Sequence, residues 1–544
     1  MARLFGVFFI LACIMSAPAI AKGVTASTPF GRLEGVAVQA GDSTVYDFRG
    51  IPFARPPING LRWKPAESWT QSWQGVRQAT AFAPSCMQPS RHAGRDDTAN
   101  MSEDCLYLNV WTPANLSADK LASLPVMVWI HGGSLLEGSS RMNGASLASK
   151  GVVVVSIAYR VGVFGYYAHP ELTRESPHRA SGNYGTTDQV EALKWVQSNI
   201  SSFGGDPRNV TIFGLSAGAY STMHLLASPL AKGLFHRAIS HSGYLKFLQP
   251  LKQAAHGRPS AEDAGVAFAR AAGAKSLAQL RALPAQKVID VVNGYKDVYD
   301  AIPEVVLDGW VFRSQLAETF ARGEHNNVPI LIGSTSNEQY NLLTGRDDWK
   351  TVVPKDASDY RKRTETLYGK NADEYLALYP AGDYEKSDDW RWLASMRDSF
   401  YTYAAHRIAA DSSRVTPDVY LYYFDQRSPW QGKAGAYHGA DKRHLFANWA
   451  GITPTEEDLR VSDIMQTYWA SFAKAGNPNT LDQPFWPRYS SSDRAFMTFR
   501  DGMAVPGRNP LPGMLEFWDA RFHERLSEGK SPWTVTGIGV YAPK

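Results

Sequence analysis

The stretch Gly214-Leu215-Ser216-Ala217-Gly218 constrains this chain most, because it sets a serine on a sharp turn between a strand and a helix. Residues 209–213, Asn-Val-Thr-Ile-Phe, are short, β-branched and aromatic, the pattern of a buried parallel strand. Residues 220–226 can continue as a helix. Glycines on both sides of Ser216 let the backbone turn tightly and a neighbouring element come close. Such a turn lifts the Ser216 hydroxyl above the end of a sheet and aims the Ala217 N–H at a reacting carbonyl. A five-residue glycine-serine pattern also arises by chance, so its meaning rests on what surrounds it.

Residues 124–130 form a near-continuous apolar run, again a buried parallel strand, and end in His131-Gly132-Gly133-Ser134. Small residues directly after a strand leave backbone N–H groups approachable. Gly132, Gly133 and Ser134 therefore suit an oxyanion-binding loop, joined by Ala217 after the serine. An ordinary glycine turn would look the same in isolation. Residues 151–160 supply a further strand, and 188–200 carry a helical pattern with Val190, Leu193, Trp195 and Val196 apolar. This alternation predicts a parallel α/β sheet, with chemistry at the carboxyl ends of its strands.

A serine hydroxyl needs a base, held in one tautomer by a carboxylate. His438 lies in the glycine-flanked loop 435–441, and Glu338 follows a strand-like run and a polar loop at 331–338. Taken alone, each would read better as a solvated or locally bonded loop side chain. Together, Ser216, Glu338 and His438 follow the nucleophile–acid–base order of serine hydrolases built on such sheets.

Length alone would suggest roughly three to four domains. No low-complexity linker, charge block or repeat divides the 544 residues, so residues 22–544 are expected to form a single catalytic domain. A formal charge of +4 is small for this length and gives no reason to expect nucleic acid. Residues 1–21 read as a secretory signal, with Arg3, an apolar stretch at 4–15 and Ala19-Ile20-Ala21 as the cleavage site. That apolar stretch is too short for a stable membrane span, and no later one approaches spanning length. Cys13 raises a lipoprotein alternative, which Leu11 fits poorly. The expected location is secreted or periplasmic. Cys86 and Cys105 remain in the exported chain and would most simply pair, with two buried free thiols as the alternative.

With these residues in hand, the chain resembles the type-B carboxylesterases. The motifs are Phe48-Arg49-Gly50-Ile51-Pro52-Phe53-Ala54, Glu103-Asp104-Cys105-Leu106-Tyr107-Leu108-Asn109-Val110-Trp111, and Phe203-Gly204-Gly205-Asp206-Pro207 leading to Ser216. The resemblance implies an α/β-hydrolase fold, a large central mostly parallel sheet flanked by helices with helical cap insertions. It implies a Ser216–His438–Glu338 triad, a Cys86–Cys105 bridge and oxyanion donors on Gly132, Gly133 and Ala217. Ser134 stands where the family more often has a third glycine. Ser242, in His241-Ser242-Gly243, fits a family serine near the triad that acts as a hydrogen-bond partner behind it. The implied activity is ester hydrolysis through an acyl-enzyme, without metal or cofactor, on a small-molecule ester.

Two departures narrow the substrate. Leu215 stands where cholinesterases and many relatives carry a glutamate, and Arg95 where cholinesterases have the tryptophan that binds a quaternary ammonium. Choline esters are poor candidates. Arg95, with Arg91 and His92, suggests an acyl group bearing carboxylates, of which the tricarballylate esters of fumonisin mycotoxins are one example. Arg95 paired with Asp96 or Asp97 on a solvated loop is the alternative, and it leaves a broad neutral alkyl and aryl esterase. A non-catalytic esterase-fold binding protein and an amidase are the readings from other classes. Residues 250–300 and 340–430 read as helical and gorge-shaping, with Trp390, Trp392, Phe400 and Tyr401 able to line an acyl pocket. Stretches 463–472 and 515–526 could pack a dimer or the interior, so monomer and homodimer both stay open.

Overall fold

A strand covered on both faces must be apolar at successive positions, and the runs around 126–130 and 153–157 meet that requirement. In a computed structural model they lie at the centre of one large sheet. The structure describes residues 23–89, 100–116, 121–295, 305–340, 354–381 and 391–530. The predicted signal sequence and Arg91, His92, Arg95 and Trp390 lie outside the described residues.

Among the described residues the sheet has thirteen strands, twelve of them on one continuous path. These are β1 (Gly23–Thr28), β2 (Gly31–Ala40), β3 (Ser43–Pro52), β4 (Tyr107–Thr112), β5 (Leu124–Ile130), β6 (Val153–Ile157), β7 (Gly205–Leu215), β8 (Arg237–His241), β9 (Ile330–Thr335), β10 (Val419–Phe424), β11 (Ala495–Arg500) and β12 (Met503–Arg508). They are ordered β1-β2-β3-β4-β6-β5-β7-β8-β9-β10-β11-β12. Every pairing from β6 to β11 is parallel, and the strands at both edges are antiparallel. The chain passes from β5 to β6 on one side, then returns to place β7 on the other side of β5. That reversal is where open α/β sheets form a crevice beyond the strand ends. The predicted oxyanion loop leaves β5 and Ser216 leaves β7, so the topology alone sets them side by side.

Helices cover both faces. The relevant ones are α1 (Tyr184–Asn199), α2 (Ala217–Ala227), α3 (Tyr403–Ser412), α4 (Ala440–Leu445), α5 (Glu456–Ala475) and α6 (Met514–Ser527). Val126, Val128 and Ile130 of β5 pack with Leu193, Val196, Tyr220 and Met223 of α1 and α2. Met127 and Trp129, the alternate residues, pack on the other face with Met465, Trp469 and Phe472 of α5. Each such side chain, fully buried, contributes about 1.5–3 kcal/mol. A third cluster, with Tyr360, Tyr375, Phe517 and Trp518, joins the helices of residues 357–378 to α6.

One expectation changes, and one left open is met in part. The span 340–430, read as helical, contains β10, a central strand. Its sequence Val-Tyr-Leu-Tyr-Tyr-Phe is buried on both faces, so no polar alternation announces a strand. The stretches 463–472 and 515–526 bury Met465, Trp469, Phe472, Leu515, Phe517 and Trp518 within the chain's own clusters. Among the described residues, no helix is long and apolar enough to cross a membrane.

Candidate active site

The turn after β7 is as tight as its sequence requires. Ser216 caps α2 with φ 58° and ψ −121°, a conformation that costs a non-glycine residue about 1–3 kcal/mol. Its N–H donates to the His241 carbonyl at 2.9 Å, and its own carbonyl accepts from Tyr220 N–H at 2.8 Å. A Cβ on Gly214 would stand 2.5 Å from the Gly218 backbone, and one on Gly218 2.0 Å from the Ile130 carbonyl. Those contacts explain why both flanking positions are glycine. The Ala217 N–H, in the first turn of α2, has no carbonyl inside the helix to meet.

The loop after β5 closes against this turn. A Cβ on Gly132 would lie 2.7 Å from the Leu215 carbonyl and 3.2 Å from Ser216 Cβ. The Gly133 carbonyl accepts from the N–H groups of Leu136 and Glu137, at 2.9 and 3.0 Å. Positive φ continues through Gly133, Ser134 and Leu135, at 110°, 58° and 57°. Ser134 thus occupies glycine-like backbone. Gln88, 1 % exposed, braces the far end of the loop: its amide donates to the Gly138 carbonyl at 3.0 Å and accepts from Gly138 N–H at 2.8 Å.

Cys86 and Cys105 are disulfide-bonded, with 5.0 Å between their Cα atoms. Beside them Glu103 is paired by two hydrogen bonds with Arg62, one at 2.6 Å and one at 2.5 Å. Asn109 donates to Ser156 Oγ at 2.9 Å. The motif around Cys105 is therefore built of interior partners. Sequence reading found its spacing but not Gln88 or Arg62, whose partners are 50 and 41 residues away.

Glu338 is fully buried in the loop beyond β9. Its Oε1 accepts from the Thr335 N–H at 2.7 Å, and its Oε2 lies 2.5 Å from His438 Nδ1. A carboxylate there makes Nδ1 the protonated nitrogen and leaves Nε2 as an acceptor. The His438 loop is joined to the Glu338 loop by Asn337 N–H donating to the Ala436 carbonyl at 3.0 Å. It meets the Ser216 turn at Gly439, whose missing Cβ would lie 2.9 Å from Leu215 Cδ2. Tyr401 sits in a π-helical turn, Asp398–Thr402, with its ring centre 5.0 Å from that of His438. Ser242 is buried at φ 52° and ties its N–H to the Gly333 carbonyl at 2.8 Å. Its hydroxyl, expected to bond behind the triad, has no hydrogen-bond partner among the described residues.

The family profile described as the carboxylesterase family matches residues 22–518. The chain belongs to the carboxylesterase family. This carboxylesterase is 35% identical over 488 residues to the fumonisin B1 esterase of Sphingopyxis macrogoltabida, covering 87% of this chain and 85% of that one. It is 33% identical over 488 residues to the para-nitrobenzyl esterase of Bacillus subtilis, covering 86% and 93%. Among solved structures, the carboxylesterase of Geobacillus stearothermophilus at pH 6.2 superposes with a TM-score of 0.76 at 31% identity, over 91% of this chain and 99% of that one. The fold is that of the α/β-hydrolase carboxylesterases, and the protein is a carboxylic ester hydrolase.

Proposed function

We propose that this carboxylesterase works through Ser216, His438 and Glu338. The observation that carries the reading is the 2.5 Å contact between His438 Nδ1 and Glu338 Oε2, on a loop packed against the strained Ser216 turn. His438 Nε2 takes the proton from Ser216 Oγ as that oxygen attacks the ester carbonyl. Glu338 orients the imidazole and stabilises it once charged. The developing oxyanion is held by backbone N–H groups of Gly132, Gly133, Ser134 and Ala217. His438 then protonates the departing alcohol, and water repeats the sequence on the acyl-enzyme. An organophosphate should label Ser216, as read by peptide mass spectrometry; label elsewhere, or none, overturns the assignment.

The substrate we infer carries carboxylates on its acyl group. The glutamate found before the nucleophile in many relatives is Leu215 here, so an anionic acyl group meets no carboxylate at that position. Arg95 belongs to the loop closed by Cys86 and Cys105, and Gln88 of that loop is bonded to the oxyanion turn. The 35% identical fumonisin B1 esterase supports the same class. Arg95→Ala should lower kcat/KM for a tricarboxylate ester about tenfold or more while sparing a neutral aryl butyrate. Equal loss on both substrates, or none on either, favours a broad neutral esterase. We further propose that residues 1–21 are removed on export.

A further inference from the structure

A second histidine–carboxylate pair lies beneath the first, wholly out of solvent. His241, the last residue of β8, and Asp441, in α4, are both 0 % exposed, and His241 Nδ1 lies 2.9 Å from Asp441 Oδ2. Trp469 of α5 donates its indole N–H to His241 Nε2 at 2.9 Å. An indole nitrogen can only donate, so Nε2 carries no proton and the ring is neutral, protonated at Nδ1. Asp441 accepts from that N–H, from the Tyr422 hydroxyl at 2.7 Å and from the Lys442 N–H at 2.8 Å. A protonated carboxyl would bring a further hydrogen with no acceptor in this group. The cluster is therefore closed and singly negative. Burial opposes that charge, but the hydrogen bond from His241 and the others keep the Asp441 carboxyl below its ordinary range.

Its connections run to all three parts of the site. The His241 carbonyl accepts the Ser216 N–H, and Tyr422 lies on β10 beside the acid-bearing β9, where the Gly333 position has no room for a Cβ against its ring. Asp441 stands three residues beyond His438, in the first turn of the helix that follows it. We propose, resting on the Ser216–His438–Glu338 reading, that Asp441 is a positioning residue for His438, locked by a neutral His241 and adding a second buried negative charge on the imidazole's side of the site. Among the described residues, the titratable groups in contact with His438 and this cluster include Glu338, Tyr401, Tyr422 and His241, and the Lys442 Nζ lies 5.8 Å from the Trp129 ring.

The test uses the full-length enzyme, an aryl ester, and organophosphate titration of Ser216 in every variant. His241→Gln offers one amide N–H to Asp441 and one carbonyl to Trp469, and should keep kcat within about threefold. His241→Leu leaves Asp441 short of a donor and should lower kcat by about 10–100-fold with little change in KM. Asp441→Asn should lower kcat and move the acid limb of kcat/KM to lower pH by up to about one unit, because an anion within about 10 Å no longer favours the imidazolium. A His241→Gln enzyme as damaged as His241→Leu overturns the neutral cluster. An Asp441→Asn enzyme with an unmoved acid limb overturns the electrostatic role. Should that variant not fold, the His241 pair decides. Wild-type enzyme left unlabelled at Ser216 would instead overturn the triad on which the proposal stands.

Discussion

His438 and His241 use the same pieces to different ends. Each presents Nδ1 to a buried carboxylate, Glu338 at 2.5 Å and Asp441 at 2.9 Å. The difference lies in the other nitrogen. At His241 it is filled by the Trp469 N–H inside the core, whereas His438 is partly exposed, its side chain 8 % accessible, on a loop against Ser216. A histidine–carboxylate pair with both ring nitrogens used is left with a scaffold role, whereas one with a nitrogen left over can serve as the base proposed for His438. The sharpest way to break the comparison is to remove the proposed nucleophile and base. Ser216→Ala or His438→Ala should lower kcat by about 10⁴-fold or more, measured as acid release from an aryl ester. A loss of only tenfold would mean the exposed pair is no more chemical than the buried one.

The next largest effect tests the donors rather than the base. Gly132→Ala sets a methyl against the Leu215 carbonyl and Ser216 Cβ, and the loop must shift away. If the loop holds the oxyanion as proposed, moving a donor should cost about 10²–10³ in kcat, with KM much less affected. Reading kcat and KM separately checks it. A change confined to KM would show that the loop only shapes the pocket.

What was legible in the sequence follows the same division. The Ser216 turn is written in consecutive residues, because strand, glycines and helix must be adjacent to make it. The loop proposed to bind the oxyanion likewise follows its strand directly. Glu338 and His438 meet across 100 residues, and only their chain order, together with family resemblance, pointed to them. His241 and Asp441 are 200 residues apart in a closed core, where no spacing rule operates. The strand β10 was hidden for the opposite reason: burial on both faces removed the period that marks a strand. The region read for substrate choice, around Arg95, lies outside the described residues.

Stability offers a smaller effect, at the disulfide beside the brace on Gly138. The Cys86–Cys105 bond closes a loop with a sequence separation of 19, and Gln88 inside it braces Gly138. Removing a link of that length should cost about 3 kcal/mol. The double change Cys86→Ser, Cys105→Ser is checked by the urea midpoint, with Ser216 labelling followed in parallel. A lost midpoint with full labelling would place the bridge with the scaffold. Lost labelling under folding conditions would place it with the chemistry.

The smallest effect comes from a third histidine that completes the series, having neither nitrogen engaged. His224, on α2, lies fully buried between Tyr220 and Phe312, ring centres 3.9 and 5.1 Å away, and among the described residues neither nitrogen has a hydrogen-bond partner. Burial lowers its pKa to about 3, so it is neutral wherever the fold is intact. An unfolded histidine binds a proton below about pH 6.5. Between that value and about 3, the unfolded chain holds a proton that the native chain does not, so stability is complete above pH 6.5 and falls as pH falls. At pH 5 the loss from this one group is about 2 kcal/mol. His325 and His406, lowered to about 4 mainly by burial, act in the same direction. His224→Phe keeps the ring packing and removes the proton site, so the drop in Tm from pH 7.5 to pH 5 should shrink by about 2 °C, while the remaining two keep it above zero. An unchanged slope would mean that His224 finds a partner in the native state, and that it belongs with His241 as a satisfied part of the scaffold.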